Sequence, residues 1–228
     1  MSTAKRRVAI TGYYGHDNTG DEALLKSVLR YLAGCRGVTN VLVLSSSPEA
    51  TARLHGVPTV EALLPVSIKD FVIRTLGRNR LNFFRATLRA LSCNTLIVGG
   101  GGLFFDTPAD NSGFLGFIGM IRLYQLLGKD VYLVGVSARP LVQEESRQAF
   151  AKVVRSPRMR LVVCRDEESA ELFRQAKGSD RDIHVTEDIV FTLPAQGAEA
   201  VVQRYRPAPE SPMIGLSLCG PELSAEGE

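Results

Sequence analysis

"VAITGYYGHDNTGDEALL", residues 8–25, begins as an apolar β-strand, passes through a glycine-containing loop and ends in the first turns of a helix. Asn18 or Thr19 can cap this helix, and the acids Asp21 and Glu22 fall in its first turn, where the helix dipole favours negative charge. The apolar stripe of the helix follows: Leu24, Leu25, Val28, Leu29 and Leu32. A strand, a glycine loop and a helix in this order predict an α/β fold.

The same alternation of short β-rich runs and longer helical patterns continues along the chain. The strand patterns are RVAITG, NVLVLS, NTLIVGG, DVYLVGVS, RLVVCR, DIHVT and MIGLSLC. The helical patterns fall near 20–33, 80–91, 113–127, 143–154 and 167–177. Strands that are apolar on both faces and separated by helices indicate a parallel sheet covered on two sides. We therefore predict a Rossmann-like α/β domain with helices on both faces of its sheet.

Composition excludes several classes of protein. The 228 residues are 45% hydrophobic, enough for a packed core, and the net charge is only +3 with mixed signs, so no nucleic-acid partner is expected. The start MSTAKRRVAI lacks the longer apolar segment of a signal peptide, and no apolar stretch could span a membrane, which predicts a cytoplasmic protein. The four cysteines form no CxxC pair, so neither a zinc site nor a disulfide framework is expected.

Residues 194–212 have the composition of a domain boundary. They contain four prolines and a short helical piece, and a new apolar strand, MIGLSLC, begins directly after them. We expect a Rossmann-like N-terminal domain at 1–193, a linker at 194–212, and at 213–228 the first strand of a truncated second domain.

The loop that follows the first strand has the position of a binding loop but not the sequence of a phosphate loop. Its glycines are Gly12, Gly15 and Gly20, which match neither GxGxxG nor GxxxxGK[ST]. Asp21 and Glu22 also place negative charge where a phosphate would need positive charge. These acids can instead accept hydrogen bonds from sugar hydroxyls, or they can simply complement the helix dipole. His16, within the loop, is the best histidine candidate for an acid or base.

Three further strand ends carry candidate ligand contacts. Gly99–Gly102 remove every side chain from the exit of the strand in LIVGGGGLFFD, which favours a loop that faces a ligand. Asp106, just beyond, can be a base, a hydroxyl acceptor or a helix cap. Ser137 and Arg139 follow the next strand, and Arg165 follows the one after that. All of them would lie at the sheet edge where α/β proteins bind ligands.

The segment 68–91 holds six basic residues against one acid. A helical apolar stripe runs through it: Leu81, Phe84, Leu88 and Leu91. A basic amphipathic helix can lie on an anionic membrane surface or bind an anionic acceptor. Alternatively, its apolar side packs on the sheet and its basic side faces solvent.

Several motifs together resemble one protein family. GYYGHDNTGDE resembles the G-x-x-G-x-x-N-x-G-D-E opening of the polysaccharide pyruvyl transferases, and GGGGLFFD resembles their glycine run followed by Leu-Phe and an acid. The similarity continues through GVSARPL, VVCRDEESAELF and VTEDIVFTLP, and it spans about 8 to 219 in consistent order. Two departures are the pair Ala138-Arg139, where the family has Ile-Gly, and Cys219, where the family continues into an arginine.

The resemblance implies a transferase that moves pyruvate from phosphoenolpyruvate onto two hydroxyls of a cell-wall or exported polysaccharide as a ketal. It implies one half of a fold like the B-type glycosyltransferases, with donor-binding cations and a catalytic histidine mainly in a second domain, before which this chain stops. No cofactor or metal is expected besides the donor substrate. The acceptor glycan can be lipid-linked, which would place the protein at the inner face of the membrane.

We therefore expect catalytic groups among three residues of the first loop and helix: Asp21, Glu22 and His16. Substrate contacts are expected at the strand ends: Gly15, Asn18, Gly20, Gly100, Gly101, Gly102, Asp106, Ser137, Arg139 and Arg165. Two alternatives stay open at this point. One is a non-catalytic domain that binds a sugar or nucleotide, and the other is a B-type glycosyltransferase that uses a nucleotide sugar.

Overall fold

The computed structural model describes residues 5–62 and 80–194, with side chains described from residue 84 onward in the helix that begins at Arg80. Its elements in chain order are β1 (Arg6–Thr11), α1 (Thr19–Ala33), β2 (Val38–Ser45), α2 (Pro48–His55), β3 (Thr59–Glu61), α3 (Arg80–Ser92), β4 (Thr95–Phe104), α4 (Ser112–Leu126), β5 (Asp130–Ala138), α5 (Glu144–Val154), β6 (Met159–Cys164), α6 (Glu167–Lys177), β7 (Ile183–Val185) and a 3₁₀ helix (Ile189–Thr192). The predicted strand at 213–219 lies outside the described residues.

The strands form one parallel sheet in the order β3-β2-β1-β4-β5-β6-β7. From β1 the chain winds to one edge through β2 and β3, and from β4 it winds to the other edge through β5, β6 and β7. The order therefore reverses between β1 and β4, which is where open α/β sheets form their ligand crevice. This arrangement confirms the predicted Rossmann-like α/β fold.

Two apolar layers cover the sheet. On one face, Leu25, Val28 and Leu32 of α1 pack on Val8 and Ile10 of β1. The other face carries the larger layer, to which the remaining long helices contribute: Ala86 and Ala90 of α3, Phe117 and Ile121 of α4, Phe150 and Val154 of α5, and Phe173 of α6. Full burial of one such leucine or phenylalanine side chain contributes about 1.5–3 kcal/mol. The helices predicted from periodicity are all present, whereas α2 and β3 were not predicted.

The sequence had suggested that the glycine run forms a loop after the strand, but the run lies inside β4. Gly100 and Gly101 have φ angles of +69° and +82°, which side chains rarely adopt. A Cβ on Gly100 would lie 2.6 Å from the Cβ of Leu24, and one on Gly101 would lie 2.7 Å from Oδ1 of Asp21. The glycines therefore let the N-terminal turns of α1 pack directly on the backbone of β4.

The apolar stripe predicted for α3 is only partly correct. The helix faces the sheet through Ala86 and Ala90, and the hydroxyl of Tyr124 donates a hydrogen bond of 2.5 Å to the carbonyl of Ala90. Phe84 and Leu88, which were expected to form the packed stripe, are 47% and 68% exposed. The small alanines bring α3 close to its neighbours, so the larger side chains lie on its outer side.

Two further expectations concern the division into domains and the absence of a membrane-spanning helix. The described body belongs to the compact unit Met1–Leu193. Since the linker expected at 194–212 and the strand expected at 213–228 lie beyond Pro194, outside the described residues, the division into domains stays a prediction. Within 5–62 and 80–194, no helix combines the length and apolarity that crossing a membrane requires.

The packing of α1 on β4 predicts that Gly100→Ala destabilises the protein. The variant would strain a residue with positive φ and force Leu24 to move, which together cost about 2–4 kcal/mol. Gly102→Ala is the matched control, because no atom lies within 4 Å of its added Cβ, and we expect it to change stability by less than about 1 kcal/mol. Urea denaturation measures both variants, and equal loss of stability would contradict the packing argument.

Candidate functional site

Asp21 lies at the point where the strand order reverses. It occupies the first turn of α1, directly above Gly101 of β4, and only 9% of it is exposed. Among the described residues, no hydrogen bond or salt bridge holds its carboxylate. A mostly buried carboxyl group without such partners is costly for the fold, which is typical of a group retained for chemistry.

The surroundings of Asp21 shift its ionisation. Burial raises the pKa of this carboxyl group, and the neighbouring charge of Glu22 raises it further. Arg165 and His16 act in the opposite direction, since positive charge near the carboxylate lowers its pKa. Three other predicted site residues therefore lie within electrostatic range of Asp21: Glu22 beside it at the start of α1, and His16 and Arg165, which follow β1 and β6. A carboxyl group with a raised pKa is suited to accept or donate a proton near neutral pH.

Glu22, the other acid in this turn, is held by contacts on both of its oxygens. The N–H of Gly15 donates to Oε1 at 2.8 Å, and Nε2 of His55 lies 2.7 Å from Oε2. The side chains of His55 and Glu22 are only 4% and 15% exposed. Glu22 therefore joins the loop after β1 to the end of α2, which favours a positioning role over the predicted catalytic one.

Sequence analysis assigned His55 no role in the site. It lies 33 residues from Glu22 along the chain, in a helix that the sequence patterns did not reveal. In the sequence, this pair is indicated only by a histidine in the last turn of a short helix. That indication is weak because the sequence does not show where α2 lies relative to α1.

His16 is exposed, and contacts fix its ring. The ring stacks on Tyr13, with centroids 3.9 Å apart and an interplanar angle of 12°, and Nε2 lies 2.7 Å from the hydroxyl oxygen of Ser46. The N–H of Ser46 in turn donates to the carbonyl of Tyr14 at 3.0 Å. The loops after β1 and β2 thus hold the imidazole in one orientation. Sequence reasoning identified His16 but neither Ser46 nor Tyr13.

The remaining residues predicted in the first loop serve the start of α1. Asn18 caps the helix, since its Oδ1 accepts hydrogen bonds from the N–H groups of Gly20 and Asp21 at 2.9 and 3.4 Å. A Cβ on Gly15 would lie 2.3 Å from the hydroxyl oxygen of Ser45, so this glycine lets the two loops approach each other. Structural contacts therefore account for Gly15, Asn18 and the amide of Gly20.

Asp106 anchors the helix that follows β5. Its two carboxylate oxygens accept hydrogen bonds from the N–H groups of Val142 and Gln143 at 2.8 and 3.0 Å. Burial alone would raise the pKa of Asp106, but these hydrogen bonds and one from Ser146 hold it below its ordinary value. Of the roles that the sequence left open, these contacts favour the helix anchor.

Ser137 and Arg165 connect the ends of β5 and β6. The hydroxyl of Ser137 donates to Oδ2 of Asp166 at 3.2 Å, and Oδ1 of Asp166 caps α6 by accepting from the N–H of Ser169 at 2.7 Å. Arg165 pairs with Asp188 at 3.4 Å, and its side chain keeps 38% of its surface exposed. Sequence analysis assigned no role to Asp188, which caps the 3₁₀ helix through Oδ1 and pairs with Arg165 through Oδ2.

Arg139 and Gly102 also lie at this edge of the sheet. The Arg139 side chain is exposed and its guanidinium lies over the ring of Phe105, 5.9 Å from the centroid. Gly102 is the exposed member of the glycine run, with open space around it. Both positions can contact a ligand. No group of three or more potential metal ligands occurs within the described ranges.

Replacing the carboxylate by an amide should have opposite effects on the stability of the protein at Asp21 and at Glu22. Because the pKa of Asp21 is raised in the folded state, its charge opposes folding at neutral pH, and Asp21→Asn should increase stability. This gain should shrink as pH falls through the folded-state pKa and vanish below the unfolded-state pKa of about 4. Glu22→Gln weakens two hydrogen bonds and should cost about 1 kcal/mol.

Thermal unfolding between about pH 3 and about pH 8, a range that begins below the unperturbed carboxyl pKa values, measures both variants. Destabilisation by Asp21→Asn would show that the Asp21 carboxylate is a structural group.

Comparison with known proteins bears on the family. No curated protein matches the chain significantly. Two solved structures of the molybdenum cofactor carrier protein from Chlamydomonas reinhardtii align at 18% and 17% identity, each with a TM-score of 0.35, over 87% of this chain and 97% and 96% of theirs. That similarity is too low to bear on function. A sequence model of the polysaccharide pyruvyl transferases matches residues 18–215, which is most of the chain. The chain therefore belongs to the polysaccharide pyruvyl transferase family.

Proposed function

We propose that the protein transfers pyruvate from phosphoenolpyruvate to two hydroxyls of a sugar in a cell-wall or exported polysaccharide. Membership of the family supports this reaction class. The observation that carries the proposal is the buried Asp21 carboxyl group, whose pKa is raised at the reversal of the strand order, with Arg165 close enough to influence it. Such a pair offers a proton acceptor beside a cation. The reaction needs both, because a hydroxyl must lose its proton and the donor is an anion.

The reaction defines what each group would do. A proton adds to C3 of the enol, a sugar hydroxyl attacks C2, and a second hydroxyl displaces phosphate to close the ketal. Asp21 would accept the proton of the attacking hydroxyl, because its raised pKa favours proton uptake near neutral pH. Arg165 would bind the carboxylate or phosphate of the donor through its planar guanidinium. No cofactor takes part in this scheme.

Contacts around these two groups would set their positions. Glu22 and His55 hold the loop that carries His16, and His16 would serve as a second acid or base at the exposed side of Asp21. Asp188 would restrain Arg165 until the donor competes for the guanidinium. The resemblance implies further donor-binding cations in a second domain, so the activity is tested on the whole protein.

The activity test uses phosphoenolpyruvate with a panel of hexosamine- and galactose-containing glycans, lipid-linked and free. We expect phosphate release together with a pyruvate ketal on the glycan, detected by mass spectrometry. Asp21→Asn should lower kcat about 10²–10⁴-fold, as loss of a general base does. Asp110→Asn is the matched control, since it makes the same change at an exposed carboxylate on the same edge of the sheet.

Three outcomes would contradict the proposal. Release of nucleoside diphosphate from a nucleotide sugar, with no phosphate from phosphoenolpyruvate, would identify a B-type glycosyltransferase. Binding of glycan or nucleotide without turnover would identify a binding domain. Full activity of Asp21→Asn would leave the reaction class intact but remove Asp21 from the mechanism.

A further inference from the structure

The sheet edge opposite the candidate site carries a dense group of cations, called here the basic edge: Lys5, Arg6, Arg7, Lys129, Arg158 and Arg160. They lie at the starts of β1, β5 and β6 or just before them. Because β1, β4, β5 and β6 are consecutive in the sheet, these starts lie side by side.

Contacts show that these cations form one surface. The guanidinium of Arg6 donates to the hydroxyl of Tyr132 on β5 at 3.4 Å, and an Nη of Arg158 would lie 3.8 Å from a Cβ on Gly128. Burial lowers the pKa of Lys129, and the positive charge of Arg7 lowers it further, so these two groups are also close.

The acids near the basic edge do not neutralise it. Asp130 accepts contacts from both Arg158 and Arg160, at 3.4 and 2.8 Å. Asp182, which also influences Arg160, is itself engaged by two further cations, Lys177 and Arg181, at 3.7 and 3.5 Å. The surface therefore keeps a local excess of positive charge although the whole chain has a net charge of only +3.

Exposed leucines border this charge. Leu126 and Leu127, at the end of α4, are 67% and 50% exposed and directly precede Gly128 and Lys129. Leu88 of α3 is 68% exposed, and the last turn of α3 meets this surface where the Lys129 ammonium donates to the carbonyl of Leu91. Apolar side chains rimmed by cations are typical of surfaces that enter the interface of an anionic bilayer.

Helix dipoles account for only part of the basic edge. Cations at helix C-termini are stabilised by the dipole, which is a sufficient reason for Lys129 and Arg158 after α4 and α5. Arg6, Arg7 and Arg160 lie in the first residues of β1 and β6 and do not directly follow a helix. Arg160 pairs with Asp130, whereas no carboxylate contact among the described residues accounts for Arg6 and Arg7.

We propose that the basic edge, with Leu88, Leu126 and Leu127, binds the surface of an anionic phospholipid membrane. The cations would contact lipid phosphates and the leucines would enter the interfacial region. A nucleic acid would satisfy the cations but leave the leucines in water, so it fits this surface less well. Because the candidate site lies at the carboxyl ends of the same strands, it would face away from the bilayer.

This proposal differs from the sequence-based expectation of a membrane contact through 68–91. Of that segment, α3 contributes Leu88 at the border of the surface, while residues 68–79 lie outside the described ranges. The main contacts would come from β1, β6 and the turn before β5. The proposal is independent of the chemistry assigned to the site.

Vesicle sedimentation with the whole protein tests this surface. We expect binding to vesicles of phosphatidylcholine mixed with phosphatidylglycerol, little binding to phosphatidylcholine alone, and weakening by added salt. The double variant Arg6→Gln/Arg7→Gln should lose roughly tenfold in apparent vesicle affinity. Lys26→Gln/Arg53→Gln is the matched control, since it removes the same charge from exposed positions on α1 and α2, and it should bind like the unaltered protein.

A second pair of variants separates membrane insertion from charge alone. Leu126→Ser/Leu127→Ser keeps every cation and changes only exposed side chains, so the protein should fold, as circular dichroism would verify, yet bind anionic vesicles more weakly. Equal binding of all variants would overturn the proposal, and so would equal binding to neutral and anionic vesicles. Preferential binding of a DNA or RNA duplex over vesicles would assign the surface to nucleic acid instead.

Discussion

The close packing of α1 on the glycine backbone of β4 is the constraint on which the site depends. Leu24 and Asp21 occupy the space that side chains at Gly100 and Gly101 would fill, and the hydroxyl of Tyr14 donates to the carbonyl of Gly99 at 2.7 Å. The start of the helix is thereby drawn onto the sheet where the strand order reverses. An aspartate at that point loses much of its hydration, and its altered pKa follows from the packing.

Two acids that are neighbours in sequence acquire different tasks because successive residues of a helix point about 100° apart. Asp21 faces β4 and is influenced by the charge of Arg165. Glu22 faces α2 and binds His55 and the loop at Gly15. One carboxylate is left without hydrogen bonds in the described structure and the other is fully engaged. The engaged one supplies the rigidity that lets the other stay in place at a cost to stability.

The sequence predicted those features that depend on local periodicity and capping. The strands from β1 to β7 other than β3, the helix after β1, its Asn18 cap and the Asp166 cap of α6 follow from residue patterns a few positions long. Features that depend on three-dimensional approach were not predictable in this way. Whether Gly99–Gly102 form a loop or a strand depends on the packing of α1 against them, and the face of α3 that packs on the sheet is marked only by two small residues, Ala86 and Ala90. The Glu22–His55 pair likewise depends on where α2, the helix between β2 and β3, ends.

The length of the strands limits how far one end of the sheet can influence the other. The nine residues of β5 extend about 30 Å at ~3.3 Å each, whereas the electrostatic screening length at physiological ionic strength is about 8 Å. The positive potential at the amino ends of the strands therefore decays almost completely before it reaches their carboxyl ends. An anionic donor approaching Asp21 gains nothing from the many arginines at the far end. Its attraction has to come from cations at the site itself, of which Arg165, whose charge lowers the pKa of Asp21, is the clearest.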